Sequence, residues 1–354
     1  MEATEERSVR PKFSLEPPLV RLLAAAEHHL GQLHLLARLW PAWGPFARGP
    51  LLALAAAEES RALGYEVDLR ELLALGPHPS PSRPNLGLRW AVGAMLATEV
   101  VAAEPRERPL TPSLVNRVHH ELDAPFLARG FDPLVADEPP DVPGSAAWTL
   151  AARWLDTGLP PLAALGLTLA AWEREGKSNA RRGLAGRVLL TGLAPRLGLA
   201  AEPFYLMGTA LRGVAGRLTG GWAEMERQIR SSGSWKLWLG VFLGAVEAAA
   251  DRAVQLGVAA WELQHSHQDL IRTWIRAPRH PLALGEVLVG RPVIGAPEVA
   301  AQLEVTQRTA GQLVDKLAEL GILAEITGQR RGRRFAYEPL VEILEPPSPE
   351  ESPV

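Results

Sequence analysis

The amino-acid sequence predicts a mainly α-helical protein whose last part contains three helices followed by a β-hairpin. Two observations predict this class. Leucine and alanine recur at helical spacing over most of residues 19–276, and no strand-like alternation of useful length occurs before residue 320. After residue 320, apolar and polar residues alternate on both sides of a basic turn, as expected for two paired strands.

The composition is that of a globular chain with two domains or more. Its 354 residues are 47% hydrophobic and 22% charged, which suffices for a large core. The charged N-terminus lacks the apolar segment of a signal peptide, so we expect neither export nor membrane insertion. Cysteine is absent, which excludes disulfides and thiolate metal sites and favours a cytoplasmic location.

A net charge of −3 argues against a chain-wide nucleic-acid surface but permits a local basic patch. Frequent alanine, leucine, glycine, proline and arginine suggest a GC-rich bacterial genome.

Helical spacing and the positions of proline and glycine divide the first 276 residues into helices and two loops. The loops are predicted at 76–85 and 132–145. One helix has a clear start, because Thr111 can act as its N-cap and Pro112 as its first residue. The predicted helices span 19–40, 51–75, 88–103, 109–122, 146–156, 161–173, 184–197, 204–218, 222–231, 234–256 and 260–276.

The C-terminal part has a different pattern, with short amphipathic helices at 280–290, 296–304 and 305–321 before the hairpin. Thr306 is the natural N-cap of the third helix and Gly321 follows its end. Three helices and a hairpin make a winged helix. Its third helix would enter the major groove of DNA and its wing would lie against the backbone or minor groove. The predicted DNA-binding residues are Thr306, Gln307, Arg308, Thr309, Gln312, Arg330, Arg331, Arg333 and Arg334. A winged helix used for protein contacts remains an alternative, since acidic and basic residues roughly cancel in this segment.

Residues 176–190 read G-K-S-N-A-R-R-G-L-A-G-R-V-L-L, where the first three residues suggest a phosphate-binding loop. A P-loop needs another glycine five residues earlier, but Ala171 stands there in a predicted helix.

With its neighbours, the segment at 176–190 resembles the Fic (Fido-domain) family, whose members transfer AMP from ATP to a hydroxyl. Residues 159–173 are similar to the helix before the family's H-P-F-x-[D/E]-G-N-G-R-x-G-R motif. The segment around Trp235 and Trp238 is similar to the family's W-x-x-W-L-x-F-F-L-x-x-V, and the C-terminal winged helix resembles one often appended to such proteins.

The family's catalytic motif is degenerate in this sequence. Its catalytic histidine falls on Gly176 and its metal-binding acid on Ala180, and no histidine occurs between His120 and His265. AMP transfer needs a general base and a carboxylate that holds Mg²⁺. The family's inhibitory S-x-I-E-G stretch is also altered, because Leu63 stands where its glutamate would be. The resemblance therefore implies a protein without adenylyltransferase activity; the alternative is an AMP transferase with a divergent active site.

The loop nevertheless concentrates basic residues, which could retain an anion or nucleotide at the start of the following helix. The alternative is a solvated cationic loop. The candidate remnant comprises Lys177, Arg181, Arg182, Gly183, Gly186 and Arg187.

We predict no metal site and no cofactor, with ATP and Mg²⁺ required only if the transferase alternative holds. His265 and His267 are two residues apart, so they point to different sides of a helix and are poorly placed to share a metal.

The expected partners are double-stranded DNA, a second copy of the chain in a homodimer, and an unidentified protein. The predicted divisions are a disordered N-terminus (1–14), a helical region (15–105), a Fic-like core (106–275), a winged helix (278–345) and a disordered acidic tail (346–354).

Overall fold

A computed structural model describes residues 15–75, 85–105, 111–127, 158–174, 180–202, 206–232, 234–329 and 332–345. The predicted termini, the loop at 132–145 and the helix at 146–156 lie outside these residues, as does most of the loop at 76–85. The described residues confirm a mainly helical protein with a small β-sheet. Within the described residues up to 276, the predicted helices form with bounds shifted by a few residues and two differences described below, and a short helix with a π-helical turn, at 43–51, was not predicted.

The first part of the chain, which we call the body, is entirely helical where it is described. A π-helical turn, Ala47–Leu51, joins its second and third helices. The body helices are α1 (Pro17–Leu39), α2 (Trp43–Phe46), α3 (Leu52–Ala62), α4 (Leu69–Ala74), α5 (Leu86–Ala103), α6 (Pro112–Leu127), α7 (Pro161–Arg174), α8 (Ala180–Arg196), α9 (Met207–Thr219), α10 (Trp222–Ser232) and α11 (Trp235–Trp274).

Residues 279–345, which we call the C-terminal unit, combine helices with a three-stranded antiparallel sheet. Strand β3 is central, with β1 on one side and β2 on the other, so that Ala336 is opposite both Val293 and Ala324. The elements are α12 (Arg279–Gly290), β1 (Val293–Gly295), α13 (Ala296–Leu303), α14 (Gln307–Glu319), β2 (Ala324–Glu325), β3 (Arg334–Ala336) and α15 (Glu338–Leu344).

Strand β1 and helix α15 were not predicted from the sequence. The sequence shows no strand pattern of useful length before residue 320, yet the three residues of β1 form a strand there. Strand β1 has only three residues, which are too few to show the alternation of apolar and polar residues typical of a strand. Its extended conformation is stabilised by pairing with β3. Helix α15 has seven residues and begins just after β3.

Two predicted helices also differ from the observed ones. The helix predicted at 51–75 is broken, because Gly64 adopts a left-handed φ of 87° between α3 and α4. The helices predicted at 234–256 and 260–276 are instead one helix of 40 residues, α11. Gly257 lies inside it, where a Cβ atom would come within 2.7 Å of the Trp43 ring. That glycine permits close packing and does not end the helix.

The buried apolar residues form one cluster that extends from Leu19 in α1 to Leu344 in α15. Helix α11 packs along α1, and its first part is anchored where the indole N–H of Trp238 donates to the carbonyl of Gly166, 2.7 Å away. Further along α11, the Gln264 side-chain oxygen accepts from the Trp40 indole at 2.6 Å. Both bonds satisfy indole N–H groups that the core would otherwise leave unpaired.

In the described part of the chain, α5 alone is long and apolar enough to span a membrane, with a mean hydropathy of 1.4. Most of this helix, 61% of its residues, is buried inside the protein, where it packs against α3, α6 and α8. Its composition is therefore that expected of a core helix.

The C-terminal unit is attached to the body by close packing and by ion pairs. The backbones of Gly49 and Gly290 approach so closely that a Cβ atom on Gly49 would lie 2.2 Å from the Gly290 carbonyl oxygen. Arg70 of α4 pairs with Glu338 at 3.0 Å, and Arg61 of α3 pairs with Glu345. The orientation of the unit is thus set by residues at both ends of its sequence.

A histidine–tyrosine hydrogen bond also crosses this junction. His267 Nδ1 in α11 lies 2.8 Å from the hydroxyl of Tyr337, the residue before α15. Burial lowers the pKa of His267 from 6.5, and burial raises the pKa of Tyr337, so both side chains are neutral at pH 7.

We expect the stabilisation from neutral His267 to be complete above the unfolded-state pKa of 6.5 and to be lost as the pH falls below it, because the folded-state pKa is lower. Urea unfolding at about pH 7.5 and about pH 5.5 should therefore show a smaller loss of stability in His267→Gln than in the wild type. Equal losses in the two proteins would contradict this prediction.

Candidate nucleic-acid interface

The start of α14 is built by local hydrogen bonds that the sequence predicts. Thr306 is its N-cap, and its hydroxyl accepts from the backbone N–H of Thr309 at 3.2 Å. The preceding turn contains Glu304 in the left-handed conformation, with φ 53°. This left-handed residue ends α13 three residues before α14 begins.

Helix α14 has one buried face and one exposed polar face. The predicted inward stripe is confirmed for four residues, and Leu320 is half-buried; the buried residues are Ala310, Leu313, Val314 and Leu317. On the opposite side, Gln307, Arg308 and Gln312 are exposed. Thr309 is half-buried, and its hydroxyl lies 2.9 Å from that of Thr306. The two threonines are therefore engaged in starting the helix, whereas the glutamines and Arg308 face solvent.

The charge near this face is mixed. Arg308 and Lys316 are exposed on α14, as are the acidic residues Glu304 and Glu319 at its two ends. Each end of α14 therefore combines one exposed basic residue with one exposed acidic residue, so the helix by itself has no excess of positive charge at either end.

The structure separates the four predicted wing arginines. Arg330 and Arg331 lie outside the described residues. Arg333 pairs with Asp315 of α14 at 2.9 Å and its guanidinium lies 5.1 Å from the centre of the Phe335 ring. Both partners of this ion pair are about half exposed, so Arg333 can exchange Asp315 for a phosphate at small cost.

Arg334 has a different environment from Arg333. It pairs with Glu298 of α13 and donates to the backbone carbonyl of Ala74, in the body, at 2.7 Å. These contacts connect β3 to both α13 and α4. Arg334 therefore holds the C-terminal unit against the body, a role that its position in a basic run did not indicate.

The predicted anion site near α8 is only partly described. Lys177 lies outside the described residues, as do the side chains of Arg181 and Arg182, whose backbone forms the first turn of α8. Gly183 and Gly186 are buried, and a Cβ atom on Gly186 would come within 2.5 Å of the Trp172 ring. Gly186 thus allows α8 to pack closely on α7.

Arg187, the last residue of the predicted site, is buried in an ion pair with Glu59 of α3. The pair is bidentate, since Arg187 Nε donates to one carboxylate oxygen of Glu59 at 2.9 Å and Nη2 donates to the other at 2.8 Å. Arg212 of α9 adds a second cation, 3.2 Å from Glu59. The Arg187 guanidinium is therefore occupied by a carboxylate of the same chain.

The charges of this cluster, which we call the Glu59 cluster, stabilise one another. Burial by itself would raise the pKa of Glu59, but attraction to Arg187 and Arg212 and their hydrogen bonds lower it overall. Burial opposes the charge of Arg187 as well, yet Glu59, and then Glu173 and Glu226, raise its pKa. Both partners are consequently ionised at neutral pH.

The sequence did not identify Glu59 as part of a site. The resemblance to the family points only to Leu63, which stands where the inhibitory glutamate would be. It predicts no acidic site residue in this segment. Glu59 lies one helical turn earlier in α3 and supplies a carboxylate to the cluster. The signal available in the sequence was an apolar helix interrupted by Glu58 and Glu59.

Within the described ranges, no group of three or more histidine, aspartate or glutamate side chains is placed to hold a metal ion. His265 and His267 have separate partners, since Nδ1 of His265 lies 2.8 Å from the Trp261 carbonyl oxygen and His267 contacts Tyr337. The absence of a metal or cofactor from the whole protein stays a prediction.

No protein-family model matches the sequence, and no curated protein is significantly similar to it. The resemblance to the Fic family and to winged helices therefore stays a prediction, which depends on the residues and motifs quoted above.

Proposed function

We propose that this protein is a DNA-binding, transcriptional-regulator-like protein whose C-terminal unit is a winged helix. The order of elements supports the proposal: a helix, a strand, two helices and two strands, with the last strand in the centre of the sheet. The observation that carries it is the face of α14, where Gln307, Arg308 and Gln312 are exposed while the threonines cap the helix. These long polar side chains are of the types that read base edges in the major groove.

We further propose that the body is a degenerate Fic-like domain without adenylyltransferase activity. The sequence has no histidine between His120 and His265, and so no histidine to act as the base in the motif region. Arg187, which aligns with the last arginine of the family's motif, is held by Glu59. Incubation of the protein with labelled ATP, Mg²⁺ and a lysate should give no labelled protein; transfer that Arg187→Ala abolishes would show a divergent transferase instead.

Selection of bound fragments from a random DNA pool tests the first proposal. We expect one enriched motif, with two related half-sites if two copies of the chain bind together as a symmetric dimer. A pool without enrichment would favour the alternative, in which the C-terminal unit binds another protein.

Substitutions in α14 provide a sharper prediction. Arg308→Ala and Gln312→Ala should each remove about 1–3 kcal/mol of discrimination at particular base positions, because a good side-chain pair with a base edge is worth that amount. Arg217→Ala, which removes an exposed arginine from α9 of the body, is the matched control and should leave both affinity and motif unchanged.

The salt dependence distinguishes phosphate contacts from base contacts. Arg333→Ala should weaken binding to all sequences alike and reduce the slope of log affinity against log salt by about one unit. If the α14 variants and Arg333→Ala all retain wild-type DNA binding at low salt, the C-terminal unit is not a DNA reader.

A further inference from the structure

A cavity of about 560 Å³ lies at the junction between the body and the C-terminal unit. On the body side its wall includes Ala53 of α3, Leu72 of α4 and Met95 of α5. On the other side the wall includes Val287 of α12 and Leu303, the last residue of α13. The cavity is thus shared by two parts of the fold, and the close contact of Gly49 with Gly290, which sets their relative position, forms part of its wall.

The lining indicates the chemical class of the occupant. Most lining side chains are apolar, and the charged ones comprise two arginines and two glutamates: Arg48, Arg291, Glu99 and Glu286. Arg48 also forms a bidentate pair with Glu202, at 2.8 and 2.9 Å. The lining has no excess of either charge, so an ionic ligand would gain little binding free energy from it. An uncharged apolar molecule would gain binding free energy because its surface is removed from water against the apolar wall.

The volume limits the size of the occupant. It falls within the range of about 300–1,000 Å³ typical of small-molecule sites.

We propose that this cavity binds one uncharged, largely apolar small molecule, such as an aromatic or alicyclic compound, and that its occupancy controls DNA affinity. The second half of this inference rests on the proposed function. The physical link is short, because Leu303 in the cavity wall is separated from α14 only by Glu304, Val305 and Thr306. A molecule that contacts Leu303 and Met95 together favours one position of α13 relative to the body, and α14 follows α13.

Fluorescence titration of the full chain with N-phenyl-1-naphthylamine, an uncharged aromatic probe, tests the binding half. We expect saturable binding of one probe per chain. Ala283→Phe, which places a ring in the cavity from α12, should weaken it about tenfold or more. Ala223→Phe adds the same ring to the exposed side of α10 and should bind as the wild type does. Val287→Phe, which adds a ring to the wall one turn further along α12, is the second variant if Ala283→Phe does not fold.

Absence of saturable probe binding would overturn the inference, and so would unchanged binding in a folded cavity-filling variant. For the coupling half, the probe should change the affinity for a selected DNA fragment by about fivefold or more, and the DNA should change probe affinity by the same factor. Independent binding of the two would disprove control. A chain that binds the probe but no DNA would instead contradict the proposed function and leave the cavity site standing.

Discussion

Replacing Glu59 by glutamine should lower the free energy of unfolding by about 3–5 kcal/mol, because it removes the carboxylate that is hydrogen-bonded to the buried guanidinium of Arg187. The Arg187 side chain is 9% exposed and that of Glu59 is 12% exposed, so water can replace little of the lost interaction. Urea unfolding monitored by circular dichroism measures the difference.

A matched control and a double variant separate this effect from a general effect of removing charge. Asp269→Asn breaks the exposed pair between Asp269 and Arg272 on α11 and should cost at most about 1 kcal/mol. Replacing both Glu59 and Arg187 by leucine should recover much of the loss, because an apolar pair requires no desolvated charge. A Glu59→Gln loss as small as that of the control would mean that the Glu59 cluster is not desolvated.

The Glu59 cluster also makes stability depend on pH. Because the pKa of Glu59 is lowered from its usual 4.5, its stabilisation is complete above that value and declines as the pH falls through the lower folded-state pKa. The wild type should therefore lose stability on acidification more steeply than the double leucine variant.

Gly49→Ala destabilises the protein by about 1–3 kcal/mol or more, because the new methyl group would lie 2.2 Å from a backbone carbonyl that no side-chain rotation can move. The body and the C-terminal unit must separate slightly to accommodate it. We therefore also expect it to alter probe binding in the neighbouring cavity, which Gly49 and Gly290 both line.

Gly31→Ala is the matched control for Gly49→Ala. Gly31 lies in α1 on the exposed side, and a Cβ atom there would meet nothing within 4 Å. Alanine should therefore raise the free energy of unfolding by about 0.5–1 kcal/mol, since glycine is the poorer helix former. Equal effects at the two positions would refute the close approach of the two backbones.

The sequence was sufficient for features that depend on local patterns. The N-cap at Thr306 and the buried stripe of α14 follow from side-chain type and spacing, and both are observed. The body helices likewise follow from leucine and alanine periodicity. At Gly257, however, the same local reasoning predicted a break, and the need to pack against Trp43 in a distant helix outweighed glycine's low helix propensity.

Contacts between distant residues could not be predicted in this way. Glu59 and Arg187 are 128 positions apart, and Arg334 and Ala74 are 260 apart. A charged side chain must contact water or a polar partner, but the sequence does not show which of these it contacts or where the partner lies. For this reason the sequence predicts neither the contact of Arg334 with Ala74 nor that of Glu59 with Arg187. The polar face of α14 follows from local spacing, because its exposed residues need no distant partner.

Helix α11 is long enough to connect one end of the body with the C-terminal unit. Its 40 residues make a rod about 60 Å long, at about 1.5 Å per residue. Trp238 fixes one end to α7, and Ile271 and His267 meet the C-terminal unit at the other. A tilt of about 5° at the first end would move the second by about 5 Å, and the bond of Gln264 to Trp40 and the contact of Gly49 with Gly290 oppose it. The rod therefore ties the position of the C-terminal unit to the packing around Trp238, about 50 Å away.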